Sequence, residues 1–423
     1  MKALALLLLS VPAGMYLYGQ SPQPISQASS SPATSLAVLI AEARQKNPEI
    51  LAMTHSYQSA GHMAKAAGAL PDTQVMVQHL SVGSPRPFAG YTNSDFAYVG
   101  LGVAQEFPWP GKRALRQEAA GLQANAMLGQ SEAVTRTVVE QLKVAYFKLA
   151  YLQQTLTILV RDDQVLNDME QIAESRYRVG KGNQQEVLKA QLQHTRILQE
   201  INMHHREVAA QQAQIKRLLG RGQDTPDVVT EALRERVNPG DPSELRQASA
   251  TNPEVLSRKA MVARSDKIVE LSRKEFRPDF AVQYMYQNTD RRFRDYYMAT
   301  LTVTLPNRSR RRDELAQALE DQKAAAASLD AETQRRMAEV QEQYDIARLS
   351  AGQLKIYREG LMPQAEATFR SAMAAYQANR QDFETLLSSF RDVLDFDEQY
   401  QKELSEHESA LARLESLTGV TLP

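Results

Sequence analysis

From Gly111 to Val179 the chain runs 69 residues without a proline. From its middle onward, apolar side chains recur at alternating steps of four and three: Val138, Leu142, Ala145, Leu149, Leu152, Leu156, Leu159, Leu166, Ala173 and Tyr177, broken only at Asp163 and Glu170. That spacing is the seam of a coiled coil. As one helix the stretch would be roughly 100 Å long, far beyond the ~11–12 residues of an average helix. A rod of that length implies a spanning device rather than an enzyme built around a pocket.

Bulk charge names no partner: 49 basic residues stand against 50 acidic ones in 423, so nucleic acid is a poor candidate. Cysteine is absent, which excludes disulfides, thiolate zinc sites, Cys nucleophiles and a lipoprotein anchor. Met1-Lys2 followed by the apolar run Ala3 to Leu9 reads as a secretory signal peptide over residues 1–19, with a disordered leader over 20–34. No later run of 18 apolar residues occurs, so contact with a membrane would have to be made by strands.

Beyond the leader the chain says the same thing twice. The first repeat, 35–222, has a helix restarted by Asn47-Pro48-Glu49 and strands at 73–82 and 96–107. The rigid exit Phe107-Pro108-Trp109-Pro110 leads to a long helix at 111–179, and a return helix follows at 184–219. After a linker at 223–242, the second repeat, 243–419, brings Asn252-Pro253-Glu254, then Pro278-Asp279 in place of Pro71-Asp72. Its strands are at 279–289 and 296–305, its long helix at 308–378 and its return helix at 382–418. Each repeat thus supplies two strands with one apolar face, such as Val99, Leu101, Val103 and Phe107 against Gly100, Gly102, Ala104 and Glu106. Four strands cannot close, and an open edge in lipid leaves backbone donors unsatisfied. Three chains would give about twelve strands around an aqueous lumen. The expected fold is therefore mainly α with a small transmembrane β part. Each protomer supplies a duplicated coiled-coil unit and four strands to a trimer that forms a 12-stranded β-barrel continued by an α-helical barrel.

This order of parts, with the paired Asn-Pro-Glu starts and the Tyr-Arg-Val-Gly reversal at Tyr177 to Gly180, resembles the TolC family of trimeric outer-membrane efflux channels. Gln105 to Arg113 is similar to a segment often seen in the heavy-metal efflux branch of that family. The resemblance implies a passive exit duct in the outer membrane of a Gram-negative-type bacterium, its helices in the periplasm. The duct would be a homotrimer served by a periplasmic adaptor and an inner-membrane pump of the RND type. The alternative is a periplasmic coiled-coil adaptor or scaffold without a pore. The resemblance also implies adaptor docking at the two reversals, through Tyr177, Val179, Gly180, Asn183 and Gln184 and through Tyr376, Ala378, Asn379 and Arg380, and a periplasmic gate at Glu186 and Glu384.

A basic cluster follows each strand exit: Lys112, Arg113 and Arg116, then Arg308, Arg310, Arg311 and Arg312. Positive charge at a helix start opposes the dipole, so either lipid phosphates at the membrane interface or neighbours such as Asp313 and Glu314 must offset it. Tyr98, Tyr284, Tyr286, Tyr296 and Tyr297 would suit an aromatic girdle. The seven histidines suggest no metal site, with His407 in the apolar register of the last helix, and the methionines are scattered without forming a ladder. No phosphate loop, nucleophile constellation or cofactor motif is present, so the chain reads as a non-enzyme.

Overall fold

Both Asn-Pro-Glu sequences are joints between stacked helices in the computed structural model, which describes residues 33–83, 85, 86, 88, 97–236, 240–289 and 295–422. The expected signal peptide, most of the leader, Phe96, residues 237–239 of the linker and the turn before residue 295 lie outside the described residues. Asn47 is 1% exposed and sits between α1 (Leu36–Lys46) and α2 (Pro48–Ala67). Its Oδ1 accepts the N–H groups of Glu49 and Ile50 at 2.8 and 3.1 Å. Its Nδ2 donates at 2.8 Å to the carbonyl of Leu218, in the last turn of α4 (Gln184–Leu219). Asn252 does the same for α6 (Pro253–Lys274), accepting from Glu254 N–H and donating to the Leu417 carbonyl, both at 2.9 Å, at the end of α9 (Phe383–Thr418). One amide therefore serves the orphan donors of one helix and the orphan acceptors of another. We expect Asn47→Ala or Asn252→Ala to cost about 2–4 kcal/mol, a lost cap plus a buried carbonyl left unpaired. The corresponding Asn→Asp change keeps the cap but sets a carboxylate oxygen against the buried carbonyl, so it should cost at least as much in the same thermal or denaturant titration.

Stacking in this way makes α4 with α2, and α9 with α6, long enough to run beside α3 (Lys112–Arg178), a continuous helix of 67 residues. On the side of the reversals the packing order is α4, α3, α9, α8 (Met362–Gln377); on the side of the strands it is α2, α3, α6, α7 (Arg308–Ile356). The fourth rod corrects the expected single helix over 308–378. It is α7 (Arg308–Ile356), a π turn at Tyr357–Leu361 and α8 (Met362–Gln377). Pro363 has no N–H to give the carbonyl of Glu359 and its ring crowds that carbonyl, so the ladder slips to wider bonding just ahead of it.

The seam interruptions have partners too: His194 Nε2 lies 3.1 Å from Asp163 and its Nδ1 3.8 Å from Glu170, and Arg358 in the π turn pairs with Glu235. Near the reversals the core is Leu166, Met169, Ala173, Ile197, Tyr376 and Phe390; nearer the strands it is Leu39, Val138, Leu142, Leu149 and Leu218. The described part of the linker is packed rather than slack. Val228 is buried and exchanges two hydrogen bonds with the Gln212 amide at 2.7 and 2.9 Å, while Arg236 pairs with Glu408 and Glu415. A short α5 (Pro242–Ser249) then leads into α6.

The strands β1 (Gln74–Leu80), β2 (Tyr98–Phe107), β3 (Asp279–Asn288) and β4 (Asp295–Thr304) form one antiparallel sheet in chain order, so the central pairing joins the two repeats. Register carries one apolar face across it: Val77 opposes Leu101, Leu101 opposes Tyr286 and Tyr286 opposes Tyr297. That face is bare, with Val75 68%, Val77 63%, Leu101 56% and Leu301 65% exposed. On the other face Gly100, Gly102 and Met285 are buried. Among the described residues no helix is long and apolar enough to cross a membrane.

Candidate functional site

The two reversals close by the same local rule. Lys181 N–H donates to Arg176 O, and Arg380 N–H to Ala375 O, each at 2.8 Å and spanning five residues. Each bond requires a left-handed residue within the turn, supplied by Gly180 at φ 72° and by Asn379 at φ 58°. Asparagine tolerates that region better than other side chains. Of the residues assigned to docking, Tyr177, Val179, Gly180, Asn183, Gln184, Ala378, Asn379 and Arg380 are all exposed. Tyr376 is not: it is fully buried and meets Phe383 edge-on at 5.6 Å. The matching tyrosines therefore differ in kind, and Tyr376 offers no surface to a partner.

What Tyr376 does is tie the reversals to each other. The Arg176 guanidinium lies 4.2 Å from its ring centroid, donates to its carbonyl, and donates to Asn379 Oδ1 at 2.5 Å. Sequence reasoning missed Arg176, because an arginine in the last turn of a helix carries no signal beyond favourable dipole charge. The Tyr376 hydroxyl donates at 2.7 Å to Glu186 Oε2 in the first turn of α4. Burial, then the Glu186 carboxylate, push the phenol well above its ordinary pKa, so it stays a donor. Glu384 is paired with Lys189 of α4. Both carboxylates assigned to a gate thus bridge the first repeat to the second within one chain.

At the strand exits the structure divides the basic cluster. Lys112 is 0% exposed and cannot reach lipid. Its ammonium lies 2.9 and 3.0 Å from the two Asp279 oxygens and 3.1 Å from Glu275, and donates to the Arg277 carbonyl at 3.0 Å. An ammonium buried so completely needs such partners. Asp279 also accepts Trp109 N–H at 2.7 Å, and Glu275 takes Arg116 at 3.0 Å and Arg311 at 3.4 Å. Arg113 donates to the Gly68 carbonyl at 3.0 and 2.7 Å, and Arg310 and Arg311 both reach Glu314. Arg308 and Arg312 remain exposed. Glu275 and Asp279 were the unseen half of this site; the repeated Pro-Asp was its only trace in the sequence.

His407 is fully buried, its ring nitrogens 3.0 and 3.3 Å from the carbonyls of Ala347 and Arg236, as suits a core histidine. Among the described residues no group of His, Asp and Glu could hold a metal ion.

Residues 39–221, nearly all of the first repeat, match the model of the outer membrane efflux protein family. None of the curated proteins matches the sequence. Among solved structures, the outer-membrane channel OprN is 16% identical over 92% of this chain and 91% of its own, with a TM-score of 0.79. The outer membrane protein VceC of Vibrio cholerae is 18% identical over 91% and 96%, TM-score 0.78. The CmeC outer membrane channel of Campylobacter jejuni is 12% identical over 98% and 94%, TM-score 0.78. At such identities the likeness is one of fold, and it runs through both repeats. The first repeat is thus similar in sequence to the outer membrane efflux protein family, and the second, built to the same plan, completes a fold shared with these solved outer-membrane proteins.

Proposed function

We propose that three copies of this chain close into one exit duct across the outer membrane, its helical part reaching through the periplasm toward an adaptor and an inner-membrane pump of the RND type. The observation that carries this is the sheet: a continuous bare apolar face and, among the described residues, two edges without a neighbouring strand, β1 and β4. Lipid suits the face and the edges of neighbouring copies suit one another. The helical flanks support the same closure, since α4 exposes Leu188, Leu192 and Leu198 while α7 exposes Met337, Leu349 and Ile356. A pore-free periplasmic scaffold gives that lipid-suited face no role.

In this reading the exposed reversal residues meet the adaptor, Arg308 and Arg312 lie near lipid phosphates, and the Tyr376–Glu186 and Lys189–Glu384 ties hold the two hairpins together at the inner end. Tyr376→Phe removes one tie without removing the ring from the core. We therefore expect the variant to stay trimeric and to conduct more in a planar bilayer; unchanged conductance would count against the tie as a gate. The function itself is tested by extracting the protein in detergent, measuring its mass and recording single channels. A water-soluble monomer that neither partitions with outer membrane nor conducts would overturn the proposal.

A further inference from the structure

Sheet register gathers methionines that the sequence leaves far apart. Met76 opposes Gly102, Gly102 opposes Met285 and Met285 opposes Met298, so three thioethers share one row across all four strands. The row lies on the face opposite the bare apolar one: Met285 is fully buried, Met76 half-buried and Met298 42% exposed. It is flanked by Gln74, Ala104, Gln283 and Thr300 on one side and by Gln78, Gly100, Gln287 and Tyr296 on the other. Methionine is not a strand former of the first rank, and the apolar positions of the opposite face use valine, leucine, phenylalanine and tyrosine instead.

Space in the row is arranged for long side chains. Met285 is fully buried, and a Cβ at Gly102 would sit 3.0 Å from Met285 Cε, so the thioether arm lies over the bare glycine on the side of Met76. Gln287 Nε2 is 3.2 Å from Met285 Sδ. Met285 and Met298 are direct cross-strand neighbours, whose Cβ atoms stand about 4.5–5.5 Å apart. Met76 is two strands from Met285, about 9–10 Å, a gap that two four-atom side chains span. The three rows contain no carboxylate or imidazole, so a hard cation finds no charged ligand there. Thioethers favour soft ions.

We propose that Met76, Met285 and Met298 form a thioether site for a soft monovalent cation, Cu(I) or Ag(I), on the inner wall of the barrel. Its place on an inner wall rests on the trimeric duct proposed above; the site itself lies within one protomer. Weak binding is what a conducting wall requires, because an ion held tightly would not leave.

The test is an Ag⁺ titration of the full-length protein in detergent, comparing wild type with a Met76→Leu, Met285→Leu, Met298→Leu triple variant. Leucine conserves volume and hydrophobicity, and far-UV circular dichroism checks that the variant is folded. Wild type should hold one Ag⁺ per protomer more than the variant, with Met methyl resonances shifting on addition, and K⁺ should bind neither. Equal silver uptake by the two proteins overturns the site. Because occupancy is read per protomer, a protein that loses silver with these methionines and yet forms no channel would refute the duct and leave the site standing.

Discussion

Lys112→Met should destabilise the protein by about 3–5 kcal/mol, the usual cost of removing one partner from a buried charge pair. The methionine stem fills most of the lysine's space, so the loss would come from charge. Asp279 and Glu275 would face each other across the vacated position, with Arg116 and Arg311 reaching only Glu275. Their site is where the start of α3, the end of α6 and the start of β3 converge, so it joins the first repeat to the second just below the sheet. A double variant, Lys112→Met with Asp279→Asn, should recover part of the loss, because the stranded charge leaves with its partner. Thermal unfolding in detergent, followed by far-UV circular dichroism, reads both. If Lys112→Met fell within about 0.5 kcal/mol of wild type, as a surface substitution does, the buried pair would have no role in holding the repeats together.

Lys112 also shows where sequence reasoning stops. In the linear chain it and Arg308 hold matching places after a strand exit, and nothing local separates them. The carboxylates that do so, Glu275 and Asp279, stand more than 160 residues away, and only tertiary pairing brings them in. The same limit applies to Asn47 and Asn252. Their capping role was legible from Asn-Pro-Glu, while their second hydrogen bond depends on which helix end lies above them. Glu186 was legible as an acid near a turn, but its partner Tyr376 is 190 positions on. Periodicity, by contrast, is local and was repeated twice, so the long rods, the strand pairs and the duplication could be read directly. The π turn falls between these cases. Pro363 is visible in the sequence and must disturb a helix, yet whether the chain kinks, breaks or widens is decided by packing against α9.

Gly180→Trp should abolish export by intact cells while leaving trimers in the membrane. Two features of the position separate these effects. No atom lies within 4 Å of a Cβ placed there, so the indole would project into solvent without displacing the core. The left-handed backbone at φ 72° charges a non-glycine residue about 1–2 kcal/mol, a strain confined to the reversal and remote from the sheet. The new bulk would stand beside Tyr177 and Val179, 48% and 67% exposed, over the surface proposed to receive the adaptor. Gly182 provides the contrast. A Cβ there would lie 3.1 Å from both Arg176 Cβ and the Tyr177 backbone nitrogen, so Gly182→Trp should distort the turn and disturb the Arg176 contacts that join the hairpins. The first variant should therefore conduct normally once purified and fail only in the cell, and the second should be altered in both settings. Normal export by cells carrying Gly180→Trp would show that the adaptor docks elsewhere on the helices, and the exposed leucines of α4 would be the next surface to block.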